Sequence, residues 1–458
     1  MPECDRTPAL RRGAATLLTF MTVVAIAATA CGNDGAAASP TAQPSPSATQ
    51  SPVATAKPSD IKVAVSSKPR AAAAGVPSGD VAVLVDGNTD FAFDVYQQLR
   101  KEEGNLFYSP FSISLALAMT YAGARGETER QMADTLSFAL PQDRLHPAFN
   151  ALDRHLAGLG KNVPAGQGTG FQLSIANSIW GQHDFKFIEQ YLDTMAVNYG
   201  AGMRLVDYMR AAEEARLLIN GWVEDETKDR IKDLIPPGVI TPDTRLVLAN
   251  AIYFKASWLH QFSKQATAPG QFTRLDGSKV NVPMMHQGVR TRYAEVDGVQ
   301  AVELPYVGNG VSMLLLLPAE GKFREFEASL DAARVKTVVD TLGDYQVTLT
   351  LPKFEFESTI GLKEVLKVLG MTAAFDATAD FSGMDGKRDL YIQDALHKAF
   401  VKVDEEGTEA AAATAIIVGV TSMPQPATMT LDRPFVFLVR DRSSGTVLFA
   451  GRVLDPGA

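Results

Sequence analysis

Six histidines and one glycine-rich stretch come nearest to catalytic or cofactor-binding patterns in this 458-residue chain. No two histidines have the helical spacing of a metal site. His146 and His155 are nine positions apart, His260 and His286 lie in loop-like contexts, and we interpret all four as surface or core side chains. The stretch GQGTGF at Gly166 is one residue out of step with a dinucleotide fingerprint and precedes a strand, so we interpret it as a loop. The chain also lacks a G-x-S-x-G elbow, an H-E-x-x-H motif and a Walker A loop, which argues against an enzyme.

Composition and charge set the class of the protein. The chain is 46% hydrophobic and 21% charged, which is ordinary for a globular protein with a large core. The formal net charge is -9 and no basic stripe appears, which argues against a nucleic-acid partner. The sequence points to no cofactor and no metal site.

The N-terminal region has the pattern of a secretory signal. Arginines precede an apolar run, GAATLLTFMTVVAIAATA, that is short for a membrane span. The run ends in Ala-Thr-Ala-Cys31, which resembles the bacterial lipobox, with Ala28 in place of the usual leucine. We therefore expect residues 1–30 to be removed and Cys31 to carry a lipid anchor outside the cytoplasmic membrane. The alternative is a plain signal peptide cut nearby, which gives a secreted protein.

Only two cysteines exist, and Cys4 lies in the predicted signal peptide, so the folded domain cannot contain a disulfide. Residues 31–80 are rich in Ala, Ser, Thr and Pro, and such a tract cannot bury enough apolar area to fold. We interpret it as a disordered linker. A flexible chain of about 50 residues spans roughly 35–45 Å.

The remaining residues, 81–458, contain no internal repeat, and we expect one large domain. Helical patterns dominate its first half: Asp90 is expected to cap a helix, and Ser109 with Pro110 opens a buried helix in SPFSISLALAMTYAGA. Later segments such as RLVLANAIYFKASW and YQVTLTLPKFEFE predict strands, and RPFVFLVRDRSSGTVLFAGRV predicts a C-terminal hairpin. Helices and mainly antiparallel strands, partly segregated along the chain, predict an α+β fold.

The stretch DEEGTEAAAATAIIVG, from Asp404 to Gly419, joins two strand patterns with an unusually long, small-residue connection. Its TEAAAATA part would be good helix-forming sequence in isolation. With its surroundings, however, the stretch resembles the reactive loop of a serpin, and the resemblance covers essentially all of 81–458. NLFYSPFSISLALAMTYAGARGET resembles the early buried helix of that family, and INGWVEDETKDRIKDLIP resembles its N-x-W-V-x-x-x-T pattern, with Arg230 replacing the usual lysine. LVLANAIYFKASW resembles the central strand, HKAFVKVDEEGTEAAAATA the hinge, and RPFVFLVRDRSSGTVLFAGRVLDP the C-terminal hairpin.

The resemblance implies a loop that first stands exposed as bait and, once cut, enters the main sheet as a new strand. Glu405 and Glu406 begin the hinge, and Gly407 is the turning point, which must bend freely. Residues of an inserted strand alternate between core and surface. The inward set is Thr408, Ala410, Ala412 and Thr414, and the outward set is Glu409, Ala411, Ala413 and Ala415. The inward set contains no bulky or charged residue, which favours insertion.

Five further positions match residues that control loop entry in the family. Four polar residues match positions beneath the gap through which the loop enters: Ser109, Ser112, Asn250 and His397. Trp258 matches the aromatic residue at the mouth of that gap. The alternative interpretation is that they are ordinary hydrogen-bonded core groups.

Family spacing from Glu405 places the bait bond between Thr421 and Ser422, with Val420–Thr421 and Ser422–Met423 as alternatives. The neighbouring residues are small or β-branched and uncharged. They imply a target serine protease with a small or apolar pocket, of elastase, subtilisin or chymotrypsin type.

The resemblance therefore implies a monomeric protease inhibitor that acts as a suicide substrate at the cell surface and is not an enzyme. One alternative is a member of the family that binds or chaperones another molecule. The other is an unrelated enzyme that shares fragments of the pattern.

Overall fold

The structure is a computed structural model that describes residues 61–159, 171–408 and 424–458. The helices in these ranges are α1 Ser78–Leu99, α2 Pro110–Tyr121, α3 Gly126–Thr135, α4 Gln142–Gly158, α5 Glu189–Thr194, α6 Tyr208–Glu226, α7 Phe323–Ala328, α8 Ala332–Thr341, α9 Leu362–Val368 and α10 Ser382–Asp385. The strands are β1 Lys62–Ala64, β2 Leu106–Tyr108, β3 Gln172–Gln182, β4 Met203–Val206, β5 Leu246–Ser257, β6 Ala268–Thr273, β7 Lys279–Val296, β8 Val299–Pro305, β9 Val311–Pro318, β10 Gly343–Pro352, β11 Phe354–Gly361, β12 Asp394–Val403, β13 Gly407–Thr408, β14 Gln425–Thr430, β15 Phe435–Asp441 and β16 Val447–Val453.

The strands form two sheets. The first, called here the large sheet, has the order β1-β4-β3-β5-β13-β12-β11. The second has the order β14-β10-β7-β8-β9-β15-β16-β2, with β6 beside β7. The helices of the first half pack with both sheets around one apolar core, and α6 covers the other face of the large sheet through a second cluster. This arrangement confirms the predicted α+β class.

Helix α2 is the buried helix that the sequence predicts. Ser109 caps it, since its hydroxyl oxygen accepts a hydrogen bond from the backbone of Ser112 at 3.1 Å, and Pro110 is its first residue. All twelve residues of the helix are buried. The short cap therefore directs a nearly all-apolar helix into the centre of the domain.

The expectation that Asp90 caps a helix is wrong. Helix α1 begins at Ser78, twelve residues earlier, and Asp90 lies in its middle. Upstream, Asp86, Gly87 and Asn88 look like a helix break in sequence. The helix continues because residues on both sides of this stretch, such as Val85 and Phe91, are buried in the core. Gly87 fits there because its backbone lies close to a neighbouring carbonyl: a Cβ would lie 2.2 Å from the Ser137 oxygen.

Part of the predicted linker is also structured. Residues 61–77, called here the strap, lie along the side of the domain and begin with β1, which pairs antiparallel with β4. The Ser66 hydroxyl and the Lys68 ammonium both donate to Asp193, at 2.5 Å each. Arg70 donates to Asn150 Oδ1 at 2.8 Å. Residues 61–77 of the predicted linker are therefore held against the domain by strand pairing and ion pairs.

Other predicted strands and the C-terminal hairpin are present, but the sequence analysis missed the longest strand, β7, of 18 residues. None of the helices in the described part of the chain combines the length and apolar character needed to cross a membrane.

Candidate functional site

The large sheet is split at one end by two residues of the predicted hinge. Strand β13, Gly407 and Thr408, lies between β5 and β12 and pairs antiparallel with both: Thr408 is opposite Ala256 on β5 and Val403 on β12. Farther from β13, β5 and β12 pair directly with each other as parallel strands. The pairing runs from Val247 beside Asp394 to Tyr253 beside Phe400, and it includes Asn250 beside His397. We call the split end the hinge end and the opposite end, at Leu246, the far end.

Gly407 is required by the geometry of this entry. Its φ of +151° is in the region that favours glycine. A Cβ at this position would lie 2.1 Å from the carbonyl oxygen of Ala256, closer than side-chain atoms approach backbone. Glycine fits this position, whereas a residue with a side chain would have to displace the β5 backbone.

Thr408 is already on the inward face. It is 1% exposed, and its hydroxyl lies 2.8 Å from the hydroxyl of Tyr306. Trp258 stacks on Tyr306, with ring centroids 4.6 Å apart. The Trp258 indole donates to the carbonyl of Asp404 at 3.0 Å, and its backbone amide donates to that of Glu406 at 3.0 Å. The predicted mouth residue therefore holds the start of the hinge directly.

Glu405 and Glu406 are held by cations and hydroxyls that the sequence analysis did not select. Lys353 and Thr267 each donate to the buried Glu405 carboxylate at 2.8 Å. Burial pushes the pKa of Glu405 upward, but the hydrogen bonds from Lys353 and Thr267 outweigh it, and the pKa lies below its usual value. Lys264 pairs with Glu406 at 2.5 Å.

The family resemblance implies that the whole loop is exposed. The structure corrects this expectation for the first four hinge residues, 405–408. Glu405 and Gly407–Thr408 are buried, and Glu406 is largely covered. The remaining predicted hinge residues, Glu409, Ala410, Ala411, Ala412, Ala413 and Thr414, lie outside the described residues, as do the bait residues Thr421 and Ser422 and the lipidation residue Cys31.

The four predicted polar residues meet in one buried cluster beneath the closed part of the large sheet. Asn250 donates to the carbonyl and hydroxyl oxygens of Ser112, at 2.8 and 2.9 Å. The Ser109 hydroxyl donates to the carbonyl of Leu448 on β16 at 2.6 Å. The backbone amide of Ser109 donates to His397 Nε2 at 3.1 Å. The cluster therefore joins α2, β5, β12 and β16.

These contacts determine the protonation of His397. Because Nε2 accepts a hydrogen bond, the ring proton is on Nδ1, which donates to Asn250 Oδ1. Burial lowers the pKa of His397 to about 3, so the ring is neutral at physiological pH.

Asn177 is a fifth member that the sequence analysis missed. Its Oδ1 accepts from Asn250 at 2.6 Å, and its Nδ2 donates to the Ser112 carbonyl at 2.9 Å. A signal was present, because β3 and β5 share the pattern Ala-Asn-x-Ile and pair with Asn177 directly opposite Asn250.

The bond from His397 to Asn250 crosses the boundary between β12 and β5, the two strands that β13 separates at the hinge end. Neighbouring strands lie about 4.8 Å apart, so a strand inserted along this boundary would double that separation. The bond therefore holds the sheet closed, and any complete insertion must break it.

No catalytic arrangement emerges from the histidines considered above. His155 Nε2 lies 2.9 Å from Asp441 and 3.1 Å from the Ser443 hydroxyl. A nucleophilic triad needs these partners on opposite ring nitrogens, and here both fall on the same one. His146 is buried and its pKa is lowered to about 4. Over residues 61–159, 171–408 and 424–458, no group of three or more His, Cys, Asp or Glu is arranged to hold a metal ion.

Comparison with known proteins gives the class to which the chain belongs. The family model described as serpin (serine protease inhibitor) matches residues 86–456. The chain therefore belongs to the serpin family.

Individual relatives match over most of their length. A serpin-like protein of Thermococcus kodakarensis is 39% identical over 381 residues, which cover 82% of this chain and 87% of that protein. Human leukocyte elastase inhibitor is 37% identical over 385 residues, which cover 81% of this chain and 99% of that protein. The crystal structure of tengpin, a thermophilic serpin in its native state, has a TM-score of 0.73 and 29% identity, and covers 87% of this chain and 98% of tengpin.

Proposed function

We propose that this protein is a suicide inhibitor of a serine protease and that it traps its target by completing the insertion that β13 has begun. The observation that carries the proposal is the position of Gly407–Thr408 between β5 and β12. These two residues already have the register that a longer inserted strand would need.

Extending that register assigns a neighbour to each inward residue. Ala410 would lie between Phe254 and Val401, and both of these are 1% exposed. Only a small apolar side chain fits there without displacing the core. Steric fit therefore explains why inward positions of the loop are alanine.

Two inward positions beyond Ala410, the same register reaches the polar cluster. Thr414 would lie between Asn250 and His397, whose direct bond the incoming strand breaks. The threonine hydroxyl can both donate and accept, so it can bridge the two groups it separates. The cluster thus supports both the closed and the inserted sheet.

The outward face offers a charge match at the first step. Glu409 would lie between Lys255 on β5 and Lys402 on β12. Opposite charges on directly paired positions stabilise a sheet by about 0.2–1 kcal/mol. Insertion would therefore begin with an acid entering between two bases.

The chemistry is supplied by the target. Its catalytic serine attacks the carbonyl of Thr421, the amine of Ser422 leaves, and the protease remains esterified to Thr421. The freed segment then enters the large sheet and carries the enzyme with it, so that its active site is distorted before water can release it. The chain after the cut remains with the domain, because β15 and β16 lie within the second sheet. The likeness to leukocyte elastase inhibitor supports an elastase-type target.

The direct test is incubation with a panel of elastase-, subtilisin-, chymotrypsin- and trypsin-type proteases. We expect a complex with an apolar-pocket enzyme that survives denaturing electrophoresis. Mass spectrometry should find a C-terminal peptide that begins at Ser422. Cleavage without any covalent complex would refute inhibition and leave the binding or chaperone alternative.

We further propose that the protein is exported and anchored through a lipid on Cys31, because the N-terminal pattern resembles a lipobox. Cys31→Ser should move the protein from the membrane fraction to the medium without changing inhibition. An unchanged membrane fraction would contradict lipid anchoring.

A further inference from the structure

The strap determines where the N-terminal segment joins the domain. Beyond the β1–β4 pairing and the contacts to Asp193, Arg70 pairs with Asp153 at 2.6 Å. The Ala71 amide donates to the carbonyl of Val197 at 2.8 Å, and its carbonyl accepts from Asn150 at 3.0 Å. The strap is thus held at many points between residues 62 and 71, which fixes the position of residue 61, the exit point towards the N-terminus.

Strand register places that exit at the far end of the large sheet. Lys62 is opposite Leu205, Leu205 is opposite Gly181, and Gly181 is opposite Leu246. The four residues form one row across β1, β4, β3 and β5. Because β1 runs antiparallel to β4, residue 61 lies beyond this row, on the side away from the hinge end.

The same row is the destination of the bait. Continuing from Thr408 opposite Ala256, residue 418 would lie beside Leu246 and Thr421 three residues past it. Residue 61 is separated from that position by four strand spacings of about 4.8 Å and by a few ångströms along the strand. The total distance is roughly 20 Å. A protease domain of about 220 residues is about 40 Å across. A protease bound to Thr421 would therefore lie over residue 61, where the segment that leads to Cys31 is attached.

We propose that residues 32–60 are a spacer that leaves room for the trapped protease between the domain and the surface to which Cys31 is attached. The proposal rests on the proposed trapping function. These 29 residues reach roughly 100 Å when extended, which clears the protease. A spacer much shorter than the enzyme would block its arrival at the far end. The bait would still be cut at the hinge end, but the acyl-enzyme would hydrolyse before insertion was complete.

The test compares anchored and free protein. The chain that begins at Cys31 contains a single thiol, so it can be coupled to vesicles that carry a maleimide lipid, or blocked with a soluble maleimide. Deletion of residues 35–55 leaves eight spacer residues, with a reach of roughly 27 Å. A matched control restores the deleted length with a Gly/Ser sequence. The measured quantity is the ratio of covalent complex to cleaved inhibitor, with the protease identified in the panel above.

All three proteins should give the same ratio in free solution. On vesicles, the deletion variant should lose at least fivefold in that ratio, and the Gly/Ser control should match the natural spacer. An equal ratio for the deletion variant on vesicles and in solution would overturn the spacer role while leaving inhibition intact. If no protein forms a complex in free solution, the inhibitor proposal itself fails, and this inference fails with it.

Discussion

The inward and outward faces of the predicted inserted strand can be tested by exchanging two neighbouring residues. The double variant Glu409→Ala with Ala410→Glu keeps the composition of the loop but moves its carboxylate to the inward face. Extension of the β13 register places that carboxylate between Phe254 and Val401, in an apolar environment. Thr408 cannot serve for this test, because it is already buried and its substitution would disturb the uncut protein.

The expected effect is large. An uncompensated charge in a protein interior costs about 3–5 kcal/mol. If 3 kcal/mol of this cost is present in the transition state for insertion, insertion slows by roughly 150-fold, since each 1.36 kcal/mol is a factor of ten. Hydrolysis of the acyl-enzyme would then outrun insertion, and the inhibitor would become a substrate.

The assay is the number of inhibitor molecules consumed for each protease molecule trapped. Glu409→Ala alone is the control, because it removes the outward charge and leaves the inward face unchanged. We expect the control to consume slightly more inhibitor molecules for each protease molecule trapped than the natural protein does. The double variant should be cleaved almost completely without trapping protease. If the two variants trap protease equally well, the assigned faces are wrong.

Three other substitutions test separate parts of the site. Lys255→Glu would place an acid beside the incoming Glu409, whereas its neighbour on β3 in the uncut sheet is the neutral Gln172, so consumption of inhibitor should rise severalfold at low salt and less at high salt; no dependence on salt would exclude the charge match. His397 has a lowered pKa in the folded state, so the unfolded state binds its proton first, and the free energy of unfolding falls as pH drops from about 6.5 towards 3. In urea unfolding, His397→Gln should therefore remove about 2 kcal/mol of the stability that the natural protein loses between pH 7 and pH 5. An unchanged loss of stability would contradict the neutral ring. Glu405→Gln should speed hydrogen exchange across residues 404–408 because Lys353 loses its charged partner, and unchanged exchange would show that other contacts hold the hinge.

Local chemistry in the sequence predicts the elements that it controls directly. Ser109 and Pro110 identify the start of α2, because a capping hydroxyl and a fixed proline φ act within one turn. The prediction that Asp90 caps a helix is wrong because packing along the helix outweighs its local capping preference. Asp90 is an equally good cap by type, but burial of the residues before it, such as Leu84 and Val85, keeps the helix continuous from Ser78.

Long-range pairing accounts for what the sequence could not predict. The strap is short and polar in places, and its order depends on β4 and on Asp193, more than 120 residues away. The seating of Thr408 depends in the same way on Tyr306. The family resemblance selected Trp258 and four polar residues, and the structure places Trp258 against the start of the hinge and the four polar residues in one buried cluster. Asn177 was missed because the Ala-Asn-x-Ile pattern points to it only when β3 is compared with β5.

The last strands of the chain have a consequence for when the domain can form. Strand β15 pairs with β9, and β16 lies between β15 and β2, which comes near the start of the domain. The buried Arg452 guanidinium donates to the carbonyls of Arg100 and Gly104, so the two ends of the domain hold each other. The second sheet cannot close until synthesis has passed residue 453. The stretch from Asp404 to Gly419 is therefore translated before the framework that holds its first residues is complete, and residues 425–453 decide whether a nascent molecule can close its second sheet at all.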